Sequence, residues 1–318
     1  MVDAERVFAR LRNGDRRLLA RLITLVENED PIGLDLLDAL YSRSGAAHII
    51  GISGSPGVGK SSLIAALLPY FVESGRHVAV IAIDPTSPLS GGAVLGDRIR
   101  MMERHADRGV FIRSMASRGR KGGLAWATAN LIHVLDIAGF ATIFVETAGV
   151  GQDGTDIADL ADTVVVVEAP GLGDGVQAIK SGLLEVGDIV VLNKADQPGA
   201  SDAIRLLRAT LGPGESGPAA TPVIGASSTA GNGVRELLQA LDNHAAWLAS
   251  SGNREIRRGL RARTEIVAGI RASIDRKLCA ELPETNELAL LVEHVANRQF
   301  PPRQAVLRVT SRLTQAPA

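Results

Sequence analysis

The stretch Gly54-Ser-Pro-Gly-Val-Gly-Lys-Ser61 constrains this chain most, because it fits the pattern G-x-x-x-x-G-K-S/T. It follows the apolar run His48–Ser53 and precedes an amphipathic segment, which is the context that a phosphate-binding loop requires. Glycines let successive backbone N–H groups point inward at phosphate oxygens, and the following helix adds its positive dipole end. The pattern therefore predicts a nucleoside triphosphate site in an α/β fold.

Two side chains of this loop carry distinct roles. Lys60 is expected to bridge the β- and γ-phosphates, and the Ser61 hydroxyl to ligate Mg²⁺. A glycine-rich turn without a ligand would need neither the lysine nor the adjacent hydroxyl. The candidate nucleotide contacts on the loop are Gly54, Ser55, Gly57, Val58, Gly59, Lys60, Ser61 and Ser62.

Short apolar runs alternate with longer amphipathic segments from residue 48 onward, which predicts a parallel sheet with helices on both faces. Several runs are continuously apolar, as strands buried on both sides are. The 46% hydrophobic content is sufficient for such a core. The predicted strands are His48–Ser53, His77–Ile83, Val110–Arg113, Ala141–Thr147, Thr163–Ala169, Asp188–Asn193 and Pro222–Ala226, with helices over Ser61–Ser74 and Leu124–Ala138.

The two ends of the chain carry helical patterns only. Residues 1–45 are expected to be helical, with a break at Pro31 and Gly33 that is followed by a short helix over Leu36–Leu40. Beyond Ser250 apolar stripes continue, and Thr285 can cap a further helix. The predicted division is an N-terminal helical segment (1–45), a nucleotide-binding domain (46–250) and a C-terminal helical arm (251–318).

A second motif, Asn193-Lys-Ala-Asp196, follows an apolar strand as the N-K-x-D element of guanine-specific nucleotidases does. An aspartate there accepts two hydrogen bonds from the guanine edge, whereas adenine offers neither donor and would leave a buried carboxylate unpaired. The chain is therefore expected to prefer GTP over ATP, with Asn193, Lys194 and Asp196 at the base. The backbone N–H groups near Ser227 and Ser228 are candidates for the guanine oxygen, although a plain turn explains them equally well.

Acidic residues at strand ends predict the metal site. Glu146-Thr-Ala-Gly149 stands where most small GTPases carry D-x-x-G, so Glu146 is expected at Mg²⁺ and the Gly149 N–H at the γ-phosphate. Asp84 and Asp97 are candidates for the metal shell or for activating water. Gln152 is either a water-positioning glutamine or a solvated loop residue.

Composition excludes several other classes of function. The formal charge of −1 and the 3% aromatic content argue against nucleic acid and against an anionic membrane surface. A single cysteine fits a reducing cytoplasm, and no apolar run reaches the length of a membrane helix. One helical face carries arginines and is expected to be solvated or to face a second subunit: Arg254, Arg257, Arg258 and Arg261.

Taken together, the motifs resemble those of the MeaB/ArgK family of P-loop GTPases, which are chaperones of adenosylcobalamin-dependent acyl-CoA mutases. The resemblance runs through the segments GSPGVGKSS, AIDPTSPLSGGAVLGDRIRM, ETAGVGQ, APGLGDGVQAIKSG and NKAD. It implies a SIMIBI-type P-loop fold, binding of GTP/GDP and Mg²⁺, slow hydrolysis, a homodimer formed through the C-terminal arm, and a mutase partner. It places Lys60, Asp84, Asp97 and Glu146 at the reaction centre.

The resemblance also assigns Asp174 and Lys180 to a switch that relays the nucleotide state to the mutase. Without it, that segment is a glycine-rich loop entering a helix, with Asp174 as an N-cap. The chain departs from the family at ETAGVGQDG, where many members have ETVGVGQSE, so coupling behind Gly149 is expected to differ. A second departure is the basic stretch Arg113–Lys121, whose alternatives are a solvated loop and a partner or nucleotide contact.

Two further classes of P-loop protein remain as alternatives. A nickel- or zinc-insertion GTPase would need clustered Cys or His ligands, whereas this chain has one cysteine and scattered histidines. A small-molecule kinase or ATPase would use the same phosphate loop, but the N-K-A-D element argues against it.

Overall fold

The computed structural model describes residues 3–84, 109–116, 123–147, 157–171, 182–212, 220–281 and 286–314. The chain divides into two compact units, Met1–Glu265 and Ile266–Ala318. The first unit contains the sheet and the N-terminal helices that pack on it. The predicted domain boundaries near residues 45 and 250 stay a prediction.

Seven parallel strands form the central sheet, in the spatial order β3-β2-β4-β1-β5-β6-β7. All seven predicted strands are confirmed. Their continuous apolar runs are explained by burial on both faces, since every residue of β5 is buried. The strands are β1 His48–Ser53, β2 Val78–Asp84, β3 Val110–Ala116, β4 Thr142–Glu146, β5 Thr163–Glu168, β6 Ile189–Leu192 and β7 Val223–Gly225.

The N-terminal segment forms α1 Ala4–Arg12, α2 Arg16–Glu27 and α3 Pro31–Leu40, followed by a 3-10 turn, Tyr41–Arg43. The predicted break is confirmed, since α2 ends at Glu27, but its position is wrong, because Pro31 and Gly33 both lie inside α3. Pro31 begins α3, where its missing N–H costs nothing, and the Asp30 carboxylate accepts a hydrogen bond from the Ile32 N–H over 2.9 Å. Gly33 lies inside α3, where α2 packs so closely that a Cβ would be 2.7 Å from the Cβ of Leu25. The close packing of the two helices therefore requires glycine at this position.

Helices cover both faces of the sheet, which confirms the predicted three-layer α/β class. One face packs against α4 Lys60–Glu73 and α7 Val234–Ser251. The opposite face packs against α5 Gly123–Ala138, α6 Ala200–Leu211 and the N-terminal helices. The carboxyl ends of the strands are therefore left open at one edge, which is where ligands bind in open α/β sheets.

The C-terminal part contains α8 Asn253–Glu281, α9 Asn286–Ala296 and α10 Pro302–Thr314. The first helix, α8, begins in the first compact unit and ends in the second. Thr285, the predicted cap of α9, lies outside the described residues. In the part of the chain that the structure describes, no helix combines the length and the apolar character that spanning a membrane would take.

The arginine face predicted to be solvated or to face a second subunit binds the amino end of the sheet, so that prediction is wrong for Arg257 and Arg261, whereas Arg258 is exposed. Arg257 pairs with Asp188 at 3.0 Å and Arg261 pairs with Asp162, just before β6 and β5. Arg254 and Arg258 donate to backbone carbonyls just before β1. These carboxylates and carbonyls attract the start of α8, which the spacing of arginines alone could not reveal.

Candidate nucleotide site

Backbone geometry at two positions of the phosphate loop requires glycine. Gly54 has φ +144°, and a Cβ there would lie 2.1 Å from the Val167 carbonyl oxygen on β5. Gly59 has φ +93°, and a Cβ there would lie 2.5 Å from Nδ2 of Asn193. The loop therefore packs directly against the ends of neighbouring strands, and no side chain larger than hydrogen fits at either position.

Lys60 is buried at the first position of α4, with 6% of its surface exposed. Its ammonium group donates to the carbonyl oxygens of Gly54 at 2.8 Å and Ser55 at 3.1 Å. The lysine thus curls back over the loop, and its charge lies beside the backbone that the motif assigns to phosphate.

The N-K-A-D element contacts the phosphate loop directly. Asn193 Nδ2 donates to the Val58 carbonyl over 2.8 Å, and its Oδ1 accepts from the Ser228 N–H over 3.2 Å. The Lys194 ammonium donates to the Gly57 carbonyl over 2.8 Å, from a residue held at φ +58°. The structure therefore brings the predicted phosphate and base residues into one site at the carboxyl edge of the sheet.

Asp196, the last residue of this element, is exposed. A hydrogen bond from Ser227, followed by its own backbone N–H, lowers the pKa of this carboxyl below its usual value. The carboxylate is thus charged and ready to accept hydrogen bonds at neutral pH. It is not buried by the protein, so the predicted discrimination against adenine requires that the base itself cover it.

The backbone N–H groups proposed for the guanine oxygen already have protein partners. The Ser227 N–H donates to the Asn232 carbonyl over 2.9 Å, and the Ser228 N–H donates to Asn193. These two N–H groups hold the turn after β7 in place, and their contact with a base stays a prediction. The Ser227 hydroxyl has a different role, which is to orient Asp196.

Glu146, at the end of β4, meets Ser61, at the start of α4. The Ser61 hydroxyl donates to Glu146 Oε1 over 2.5 Å, and both groups are hard oxygen ligands of the type that Mg²⁺ takes. Asp84 ends β2, the strand beside β4, so its backbone lies at the same edge of the sheet. The residues present therefore fit a magnesium ion.

Several predicted site residues lie outside the described residues, so their placement stays a prediction. They are Asp97, Gly149, Gln152, Asp174 and Lys180. Of the basic stretch, Arg113 lies in β3 and pairs with Glu27 of α2. Ser62 lies in the first turn of α4.

Sequence reasoning missed one acidic residue of this edge, Glu168. It ends β5, next to β1, and only 8% of its surface is exposed. The signal was present, because a glutamate closes the apolar run TVVVVE just as Glu146 closes TIFVE.

Comparison with known proteins identifies the family of this chain. Residues 19–282 match the family profile described as methylmalonyl-CoA mutase-associated GTPase MeaB. The chain belongs to the MeaB family. The predicted resemblance is thereby confirmed, as are the P-loop fold and GTPase activity.

Relatives of this MeaB family member agree with that assignment. A Pyrococcus horikoshii protein classed as a GTPase is 44% identical over 309 residues, 96% of each chain. GTPase ArgK of Escherichia coli is 40% identical over 191 residues, 59% of this chain and 58% of ArgK. The methylmalonic aciduria type A homolog of Caenorhabditis briggsae is 38% identical over 207 residues, 60% of this chain and 50% of that protein.

A solved structure shows the same architecture. The crystal structure of an LAO/AO transport system kinase superposes with a TM-score of 0.68 at 25% identity and covers 98% of each chain. Within the described ranges, no group of three or more His, Cys, Asp or Glu side chains is arranged to hold a metal ion. The Ser61–Glu146 pair would be a site of a different kind, in which a hydroxyl and a carboxylate bind Mg²⁺ together with phosphate oxygens.

Proposed function

We propose that this MeaB family GTPase is a nucleotide-gated chaperone of an adenosylcobalamin-dependent acyl-CoA mutase, which controls cofactor loading or protects the loaded enzyme. The observation that carries this proposal is the match of residues 19–282 to a family described as mutase-associated. The methylmalonic aciduria type A homolog supports the same partner class. The single cysteine fits our further proposal that the protein works in the cytoplasm.

In the proposed cycle, the phosphate loop and the N-K-A-D element bind the two ends of GTP at once. Lys60 leaves the Gly54 and Ser55 carbonyls for the β- and γ-phosphates, while Asp196 accepts hydrogen bonds from guanine. Asn193 of the N-K-A-D element is hydrogen-bonded to the Val58 carbonyl of the phosphate loop. A shift of the phosphate loop on nucleotide binding therefore also moves the N-K-A-D element.

Ser61 and Glu146 are the described residues that would hold Mg²⁺ in this cycle. The ion would neutralise charge that develops on the phosphate oxygens. Glu146 immediately precedes the segment with Gly149 and Gln152, and we propose that this segment and the one with Asp174 and Lys180 respond to the γ-phosphate. We expect the isolated protein to hydrolyse GTP slowly, because we propose that its partner supplies or orders a catalytic group. A group supplied in trans can raise the hydrolysis rate by about 10³–10⁵.

We further propose that the protein forms a homodimer through its C-terminal arm. On α8, Ile266, Ile270 and Ile274 recur at helical spacing and are 62%, 55% and 51% exposed. Exposed apolar side chains also occur on α9 and α10, at Leu290, Val292, Val306 and Leu307. A second copy of the chain is the occupant that the resemblance implies for this surface, and a standard interface buries about 800 Å² per partner.

The proposal is tested by measuring GTP turnover with and without a candidate mutase, together with co-elution of the two proteins. Stimulated turnover and nucleotide-dependent co-elution are expected, and the Lys60→Ala variant should show neither. Unchanged turnover and no association with methylmalonyl-, isobutyryl- or hydroxyisobutyryl-CoA mutase would contradict the chaperone role. Displacement of bound GTP by equimolar ATP would instead favour the kinase or ATPase alternative.

A further inference from the structure

Glu168 occupies a position between the two halves of the nucleotide site. Its strand, β5, lies between β1, which leads into the phosphate loop, and β6, which leads into the N-K-A-D element. The Glu168 carbonyl accepts a hydrogen bond from the Asn193 N–H over 2.8 Å. The preceding carbonyl, of Val167, is the atom that forbids a side chain at Gly54. The backbone of Glu168 is therefore fixed against both motifs.

The side chain of Glu168 is buried without a hydrogen-bonding partner for one of its oxygens. Its Oε1 is inaccessible to solvent and makes no hydrogen bond to any residue that the structure describes. A buried ionised carboxylate in that situation is costly. Burial accordingly raises the pKa of Glu168 to about 7, against the opposing effect of the Lys60 charge.

Charged groups on the neighbouring elements have partners of their own. The carboxylate of Glu146, on β4, accepts from Ser61, and the Lys194 ammonium donates to the Gly57 carbonyl. Asp196 is hydrogen-bonded to Ser227. Lys60 is thus the charged group that acts on Glu168, and it is also the group expected to move onto the nucleotide.

A bound triphosphate would change this balance of charge. It brings several negative charges to the loop, and Lys60 pairs with them instead of with Glu168. The ionised carboxylate of Glu168 is then repelled by the phosphates in a low-dielectric environment. Protonation removes the repulsion and converts the carboxyl group into a hydrogen-bond donor.

We propose that Glu168 is a positioning residue of the nucleotide site that takes up a proton from solvent when GTP binds and then faces the phosphates as a neutral acid. The proton leaves the acid form of the buffer and binds a carboxylate oxygen, and no bond of the nucleotide is made or broken. The inference rests on the proposed binding of GTP at this loop. It adds to that function a dependence on pH that the motifs themselves do not predict.

The experiment is isothermal titration calorimetry of the full chain with Mg²⁺ and a non-hydrolysable GTP analogue, in two buffers of different ionisation enthalpy. At about pH 8, the wild-type protein should take up a large fraction of one proton for each nucleotide bound. Its affinity for the GTP analogue should fall by up to about tenfold per pH unit between about pH 7 and 9. The Glu168→Gln variant should bind with little additional proton uptake. Protonation of the terminal phosphate is common to both proteins and cancels in the difference.

Glu185→Gln is the matched control, because it removes the same charge from an exposed position in the turn that leads to β6. It should keep the wild-type proton uptake, and circular dichroism should show that both variants are folded. Equal proton uptake by wild type and Glu168→Gln would overturn the inference. If Glu168→Gln fails to bind, a wild-type affinity that stays flat between about pH 7 and 9 overturns it. A wild type that binds no GTP contradicts the proposed function itself.

Discussion

The side-chain amide of Asn193 donates from Nδ2 to the carbonyl oxygen of Val58 across 2.8 Å, and so joins the base element to the phosphate loop. The same side chain accepts the Ser228 N–H through Oδ1. One fully buried amide therefore holds three loops, those after β1, β6 and β7, in a common arrangement. Loops coupled in this way are expected to bind nucleotide as a unit.

Asn193→Ala should therefore weaken both the fold and nucleotide binding. The change leaves the Ser228 N–H and the Val58 carbonyl without this partner, and an unsatisfied buried group costs about 1–3 kcal/mol. Urea unfolding measures the stability, and fluorescence titration with a labelled GTP measures the affinity. Asn28→Ala, at an exposed position just after α2, should leave both unchanged. Wild-type affinity in Asn193→Ala would show that the loops bind independently.

Asp196→Asn should change which purine nucleotide is bound. An amide at this position loses an acceptor for the guanine N–H groups but can donate to the second carbonyl of xanthine, and such hydrogen bonds can discriminate by about 10⁴-fold. Competition between GTP and xanthosine triphosphate measures the selectivity. Asp202→Asn, an exposed aspartate on α6, is the matched control. If selectivity in Asp196→Asn matched wild type, Asp196 would not contact the base.

Arg261→Ala should destabilise the first compact unit more than an ordinary surface change does. Arg261 pairs with Asp162, and their side chains are 11% and 3% exposed. Removing one partner of a buried pair costs about 3–5 kcal/mol, because the other charge is left in the interior. Chemical unfolding compares it with Arg263→Ala, which truncates an exposed arginine on the same helix. Equal stability of the two variants would mean that the pair does not anchor α8.

Acid should destabilise the fold through His48, at the start of β1. Burial lowers the pKa of His48 to about 4 from 6.5, and its Nε2 lies 2.7 Å from the Thr163 hydroxyl. The unfolded chain therefore binds more protons than the folded one between these values, so the free energy of unfolding decreases as pH falls from about 6.5 to about 4. Unfolding midpoints at several pH values should show a smaller decrease in His48→Gln.

His294→Gln, at an exposed position on α9, is the control for that series and should follow wild type. An identical pH dependence in His48→Gln and wild type would assign the acid sensitivity to other groups.

The residues that could be predicted from sequence are those whose pattern is local. Lys60 and Ser61 come at the end of a glycine-rich loop that follows the buried strand β1, and Asn193 directly follows the buried strand β6. Because parallel strands end at the same edge of a sheet, their positions after these strands place them at one edge. Local patterns failed where the partner is distant in the chain. The periodicity of α8 identified an arginine face but not Asp162 and Asp188, which lie about 70 to 100 residues earlier in sequence.

The strands, the phosphate loop and guanine as the expected base follow from the amino-acid order alone, because hydrophobic periodicity, glycine placement and the N-K-A-D motif each span only a few residues. The folded chain was needed to show that the arginines of α8 bind the sheet and that Glu168 is buried between the two nucleotide motifs. Those outcomes depend on which groups from distant segments share a low-dielectric environment, where an unpaired charge or polar atom is costly.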